Sequence, residues 1–320
     1  MKAQIRYEGD PAILENLFRK ERLLKRADSS HQHIRPVVCV GSGVQRGVFG
    51  GGAGIAMQKF GLNHAFDAAV GVSTGAPGIG FFLAGQLDQH LEIYWKEAAS
   101  EDFVSFRNLW TGGGPVVGTD FITNVFRSKM DQVAIRRSRT KFFVAATCVK
   151  TGKGHLIDAK IARPDPLEAV HASIAIPRLC GRTVTLDGVE YVDGGAGEGT
   201  ALPIKKIIEK FAPTDLLVLT NCPSEDKETM LGSLCSRWLV SGFPEPFQKA
   251  YFNRHKDFAS ELHYLRTERP CRYGILWSDD SVGRFERNST KLENAALRAQ
   301  KHFESLLLDA RNRLEPHYRR

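Results

Sequence analysis

Apolar positions run along this chain in two periodicities. Pro36–Val40 (PVVCV) and Phe66–Val72 are short apolar runs, the pattern of strands buried on both faces. Glycines follow each run at once, and then a stretch of helical length, Val48–Phe60 after the first and Ala76–Ala84 after the second. Two strand–turn–helix units in tandem predict an α/β sheet. Further strands are predicted at Phe142–Val149, Lys153–Asp158 and Leu216–Thr220, with a hairpin joining Val184–Leu186 to Val189–Val192 over Asp187-Gly188. Their alternation with helices predicts a largely parallel sheet covered on both sides.

Helical spacing marks the two flanks. Ala12–Lys25 places Leu14, Leu17, Phe18 and Leu23-Leu24 on one stripe and predicts a lead-in helix. Beyond about residue 225, Glu228–Leu239, Pro246–Leu265 and Ser289–Leu314 read as amphipathic helices, interrupted by Tyr273–Trp277 (YGILW), which is placed to return as a strand to the main sheet. Four glycines in the Val48–Phe60 helix (Gly50, Gly51, Gly52, Gly54) would each cost about 1 kcal/mol relative to alanine, so something is expected to pack closely there. The expected organisation is a lead-in segment over residues 1–33, an α/β domain over 34–224 and a helical extension over 225–320 packed on it.

Composition narrows the class. The 320 residues carry 44 Lys+Arg against 36 Asp+Glu, a net +8, with 42% hydrophobic residues, which excludes a disordered chain. No stretch approaches the roughly 18 apolar residues of a membrane span, and Met1–Arg35 lacks the apolar run of a secretion signal. The six cysteines, Cys39, Cys148, Cys180, Cys222, Cys235 and Cys271, show no metal-ligand spacing and are expected to be reduced thiols in a cytoplasmic protein. The net charge favours acidic partners. Its basic residues are dispersed, without interleaved aromatics, so nucleic acid is not expected and an anionic lipid surface is preferred.

Three short motifs carry candidate chemistry. Gly71-Val72-Ser73-Thr74-Gly75 matches G-x-S-x-G between a predicted strand and a predicted helix, the context that exposes a serine hydroxyl on a sharp turn; the plain alternative is a tight turn with a capping serine. Tyr191-Val192-Asp193-Gly194-Gly195 puts an acid at the end of a β-run, where a carboxylate could take the proton of Ser73, although Asp-Gly-Gly alone is also an ordinary turn composition. Gly41-Ser42-Gly43-Val44-Gln45-Arg46-Gly47 follows the first strand and offers backbone N–H groups to an anion. As a dinucleotide or phosphate loop it fails, because Arg46 stands where the third glycine belongs and no Gly-Lys-Ser/Thr follows; an oxyanion hole fits better. The histidines offer no base: His155 and His171 lie in ordinary strand and helix contexts, and His255, His263, His302 and His317 on solvated helical faces.

In this order the motifs resemble the patatin-like phospholipase family, with GSGVQRG (41–47), GVSTG (71–75) and DGG (193–195) supported by ASIAIP (172–177). The resemblance covers roughly residues 34–221, and the tail strings GILWSDD (274–280) and VGRFERNSTKLENA (282–295) are similar to the C-terminal region of a bacterial subgroup. It implies a three-layer α/β/α sandwich with a mostly parallel central sheet and a Ser-Asp dyad rather than a triad. Ser73 would be the nucleophile, Asp193 its base, Gly71 and Gly75 the flanks of the nucleophile turn. Gly43, Val44, Gln45, Arg46 and Gly47 would form the oxyanion loop. No metal or cofactor is implied. One departure stands out: the family's three successive glycines fall on Ser42, Gly43 and Val44, and a side chain at Ser42 or Val44 restricts positive φ and close approach.

The expected function is a lipid acyl hydrolase, of phospholipase A or carboxylesterase type, cytoplasmic with peripheral contact at anionic membrane. Its rivals are a catalytically weak or silent protein of the same fold that binds lipid, membrane or a regulatory partner, and a thioesterase acting through the same site.

Overall fold

The computed structural model describes residues 4–111, 114–224 and 236–314. Nine strands form one sheet: β1 (Arg6–Gly9), β2 (Pro36–Val40), β3 (Ala68–Val72), β4 (Lys141–Cys148), β5 (Gly154–Asp158), β6 (Val184–Leu186), β7 (Val189–Asp193), β8 (Asp215–Leu219) and β9 (Arg272–Trp277). The order across the sheet is β1-β9-β8-β2-β3-β4-β7-β6, with β5 also on β4. The central five, from β9 to β4, are parallel. The strands at the two margins are antiparallel.

Around the sheet lie helices α1 (Ala12–Lys25), α2 (Gly47–Lys59), α3 (Gly75–Leu83), α4 (Leu87–His90), α5 (Arg107–Thr111), α6 (Thr119–Lys129), α7 (Gln132–Arg137), α8 (Pro166–Ile174), α9 (Ile204–Phe211), α10 (Glu245–Glu268) and α11 (Ser289–Leu314). The predicted elements match these bounds to within a few residues, as expected of frayed ends. In the predicted Glu228–Leu239 helix, residues 236–240 are helical and residues 228–235 lie outside the described residues.

Alternation along the strands divides the core in two. Val38, Val40, Ala69, Val144, Leu217 and Leu219 face a cluster built with α1, α2, α3, α8 and α11. Their neighbours Val37, Cys39, Ala68, Val70, Leu216 and Val218 face a second cluster with Ile204 and Ile207 of α9 and Leu262 and Leu265 of α10. Side chains of successive strand residues point to opposite faces, so a strand apolar at every position needs cover on both. The result is a three-layer α/β/α sandwich.

The stretch beyond residue 225 supplies both layers and sheet. β9 pairs with β8 on one side and with β1 on the other. α11 crosses α2 so closely that a Cβ on Gly52 would stand 2.2 Å from the carbonyl oxygen of Ala296. Ion pairs at 2.8 Å, Lys59–Glu304 and Arg313–Glu15, brace α11 against α2 and α1. No helix among the described residues is long and apolar enough to cross a membrane.

Candidate active site

β4 organises the site. β3 runs beside it up to the pair Val72–Ala145, and there β3 ends. The next residue of β4, Ala146, pairs with Asp193 of β7 and also with His155 of β5. One of these partners occupies each edge, so β7 takes up the edge of β4 where β3 leaves it. Ser73, the residue after β3, therefore meets Asp193, the last of β7. Its Oγ donates to Asp193 Oδ2 at 2.6 Å across 120 residues of sequence.

The turn that presents Ser73 is tight. Ser73 has φ of 52°, a left-handed conformation that costs an L-residue roughly 1–2 kcal/mol. The flanking glycines have no room for a side chain: a Cβ on Gly71 would stand 2.4 Å from Cα of Ala76, and one on Gly75 2.3 Å from the carbonyl oxygen of Val40. The Ser73 N–H donates to Oγ of Ser173 at 2.9 Å, and Ser173 Oγ in turn donates to the carbonyl of Ala145 at 2.7 Å. α3 begins two residues after Ser73, so the hydroxyl sits near that helix's N-terminus.

Asp193 is held at three further points. Its Oδ1 accepts the N–H of Gly195 at 2.7 Å, its N–H donates to Ala175 O and its carbonyl accepts from Thr147 Oγ1, both at 2.8 Å. Burial pushes its pKa up from 3.8 to about 6, against the opposing pull of the Ser73 hydroxyl, the Gly195 amide and the positive charge of Arg284. Ionised, such a group is a carboxylate short of solvation, which favours taking a proton.

The glycine-rich loop lies beside this pair and is tied down by the tail. Gln45 donates its N–H to the carbonyl of Arg284 at 3.1 Å, and Arg46 Nε donates to the carbonyl of Val282 at 3.0 Å. The Gln45 side-chain amide bonds the carbonyl of Ala98. The N–H of Arg46 closes a turn onto Gly43, and Gly47 opens α2. Of the expected oxyanion loop, Gly43–Gly47, the N–H groups of Gln45, Arg46 and Gly47 are directed at the carbonyls of Arg284, Gly43 and Val44. The N–H groups of Ser42, Gly43 and Val44 make no hydrogen bond among the described residues. Val44 adopts φ of 52° despite its branched Cβ, so the restriction expected of a side chain there is overridden by the ties around it.

Ser73 opens on two unlike cavities. One, of about 50 Å³, is lined by apolar side chains including Ile93, Phe103, Ile122, Phe126 and Ile176. The other, of about 310 Å³, sets the polar Ser42, Asp193, Arg254 and Arg284 against the apolar Leu179, Leu239 and Phe285. Val44 and Ile176 stand with Ser73 at the partition between them. Among the described residues no histidine lines either cavity: His155 is directed at Tyr191 OH, and His171 is buried beside Thr119, with its pKa pushed down to about 4 by burial. Ser173, Arg254 and Arg284 were not singled out from the sequence. The ASIAIP string containing Ser173 and the tail string containing Arg284 were the available signals.

A family model described as patatin-like phospholipase matches residues 38–205, a span holding Ser73, Asp193 and the loop between β2 and α2. An Escherichia coli (strain K12) protein, "Uncharacterized protein YjjU", is 28% identical over 196 residues, which cover 59% of this chain and 52% of that relative. The match thus spans about half the relative's length. The solved structure of VipD from Legionella pneumophila aligns with a TM-score of 0.40 at 10% identity, covering 86% of this chain and 67% of that one. With the motifs, their order and the matched span together, the chain belongs to the patatin-like phospholipase family.

Proposed function

We propose that the protein hydrolyses acyl esters of lipids, with Ser73 as nucleophile and Asp193 as its base. The observation that carries this reading is the 2.6 Å hydrogen bond from Ser73 Oγ to a buried carboxylate, on a turn that gives the hydroxyl no competing partner among the described residues. As Ser73 attacks the ester carbonyl, its proton passes to Asp193 Oδ2. The negative charge developing on the carbonyl oxygen meets the N–H groups of Ser42, Gly43 and Val44, and the helix N-terminus behind Ser73 adds to their field. Asp193 returns the proton to the departing alcohol, leaving an acyl-serine. Water then gives a proton to Asp193 and attacks the acyl carbon; as the acid departs, Asp193 returns that proton to Ser73 Oγ.

The rim of the larger cavity supports an approach to a lipid surface. Phe285, at its border, packs edge-on against Phe106, and both are exposed, as is Trp238 beneath the Arg178 guanidinium. Aromatic and cationic groups of this kind suit the boundary of an anionic bilayer.

The test is labelling by a fluorophosphonate together with release of p-nitrophenol from acyl esters, for wild type, Ser73→Ala and Asp193→Asn. We expect wild type alone to do both. An unlabelled, inert wild-type protein of native fold would sink the proposal in favour of a silent lipid binder.

A further inference from the structure

A third cavity, of about 420 Å³, opens between α9, α10 and the loop that carries Glu198 and Gly199, and it shares no lining residue with the two cavities at Ser73. We infer that it binds a small zwitterion, a primary ammonium joined through a short carbon chain to a carboxylate or phosphate.

The most buried charges of this cavity are acidic. Asp257 and Glu261 lie one turn apart on α10, so they share a face of the helix, and both line the cavity. Glu261 is only 6% exposed: its Oε2 accepts the backbone N–H of Lys205 at 2.7 Å, at the start of α9, and its Oε1 has no partner among the described residues. Asp257 Oδ2 is likewise buried without a partner. Burial pushes both carboxyls up, and at Asp257 the charge of Glu198 adds to the effect. Buried acceptors of this kind call for a donor, and an ammonium has three N–H groups to give.

The lysines around the cavity do not meet that need. Lys205 Nζ lies 3.4 Å from Ser260 Oγ and 5.5 Å from the centre of the Tyr264 ring. Lys206 runs past Gly199, where a Cβ would stand 3.2 Å from its Cε, and Lys153 is exposed. Among the described residues none of these lysines forms an ion pair with Asp257, Glu261, Glu198 or Glu209.

Charges of both signs around one space, unpaired with each other, suit a ligand that carries both. The lysines disfavour a polyamine, and the carboxylates disfavour a simple anion. A bare metal ion is poorly served, because no group of three His, Cys, Asp or Glu side chains among the described residues could hold one. The wall is also built in advance: the N–H of Gly154 donates to Glu198 O at 3.1 Å, and the N–H of Glu198 to Gly152 O at 2.9 Å.

The experiment titrates the full chain with 4-aminobutyrate, phosphoethanolamine, propylamine, butyrate and inorganic phosphate, by calorimetry and saturation-transfer NMR. We expect at least one of the two zwitterions to bind saturably, and the three singly functional probes to bind about tenfold more weakly or not at all. Binding of one zwitterion alone supports the inference and identifies the anionic group as carboxylate or phosphate. Asp257→Asn and Glu261→Gln keep the shape of each side chain and remove its charge; either variant, once shown to be folded, should lose about tenfold in affinity. Ser73→Ala should bind as the wild type does, which separates this cavity from the reaction cleft. The inference is overturned if neither zwitterion saturates the wild type, if propylamine or an anion alone binds as tightly as the zwitterions, if affinity is unchanged in both folded acid variants, or if Ser73→Ala abolishes binding.

Discussion

The hydroxyl of Ser173 accepts the backbone N–H of Ser73 at 2.9 Å while donating to the carbonyl of Ala145 at 2.7 Å. One buried side chain therefore links the strained turn to β4, the strand that also carries Asp193's partner. In Ser173→Ala, the Ser73 N–H and the Ala145 carbonyl both lose their partner, at a cost of about 1–3 kcal/mol each at most. We expect a lower Tm and a kcat reduced by about tenfold or more, with Ser173→Thr recovering part of both. A kcat equal to wild type in a folded Ser173→Ala protein would show that the turn holds itself.

The pH profile follows from Asp193. Its carboxyl must be ionised to accept the proton of Ser73, so hydrolysis should rise with pH through about 6 and then level. The charge of Arg284 pulls that value down. In Arg284→Gln the rising limb should therefore shift to higher pH, which a kcat/KM profile with a neutral ester would measure. A shift in the opposite direction would contradict the assigned coupling.

Burial of Asp193 also sets a stability cost. Because its folded pKa lies above the ordinary value of 3.8, the folded state holds a proton that the unfolded state has released between about pH 4 and 6, and stability falls as pH rises through that window. Asp193→Asn keeps the shape and removes the charge. We expect it to raise stability at neutral pH by about 1–3 kcal/mol while abolishing hydrolysis, and to show no such gain below pH 4, in denaturant titrations at both pH values.

Val44 is a branched residue at φ of 52°. Val44→Gly relieves roughly 1–2 kcal/mol of backbone strain and gives back part of that through the greater freedom of its unfolded chain. Thermal melts should show Val44→Gly at least as stable as wild type. A glycine variant that melts well below wild type would mean that the valine side chain contributes more by packing than its backbone costs.

Gly52 tests the seat of α11. A Cβ there would lie 2.2 Å from the Ala296 carbonyl. Gly52→Ala should push the two helices apart and destabilise by about 1–3 kcal/mol, the usual scale of overpacking, despite alanine's better helix propensity. Chemical denaturation of the variant measures it directly.

How much of this was legible beforehand depended on burial. β2 and β3 could be read because strands covered on both faces are apolar at every position, and α1 and α11 because one face of each is apolar at helical spacing. β1 was missed: Arg6–Gly9 is a four-residue edge strand, half-exposed, with no alternation to betray it. α6 was missed because only Ile122 and Phe126 among its apolar residues are fully buried, and the cavity they close gives no signal in one dimension. The Gly-Val-Ser-Thr-Gly and Asp-Gly-Gly strings stand out by composition, yet their meeting depends on β7 replacing β3 along β4, a matter of pairing rather than spelling. Arg284 looks like any surface arginine until the tail brings its carbonyl to Gln45.

That contact, together with the place of β9, bears on how the molecule comes into being. Ser73 and Asp193 are both synthesised long before residues 272–277, and until those residues emerge β8 presents an open edge, with its backbone groups available to any passing strand. Only after residue 284 does the loop beside Ser73 acquire its anchor on the tail. A growing chain therefore carries the Ser73 hydroxyl through much of translation without a finished cleft around it, and leaves the edge of β8 open until residues 272–277 arrive.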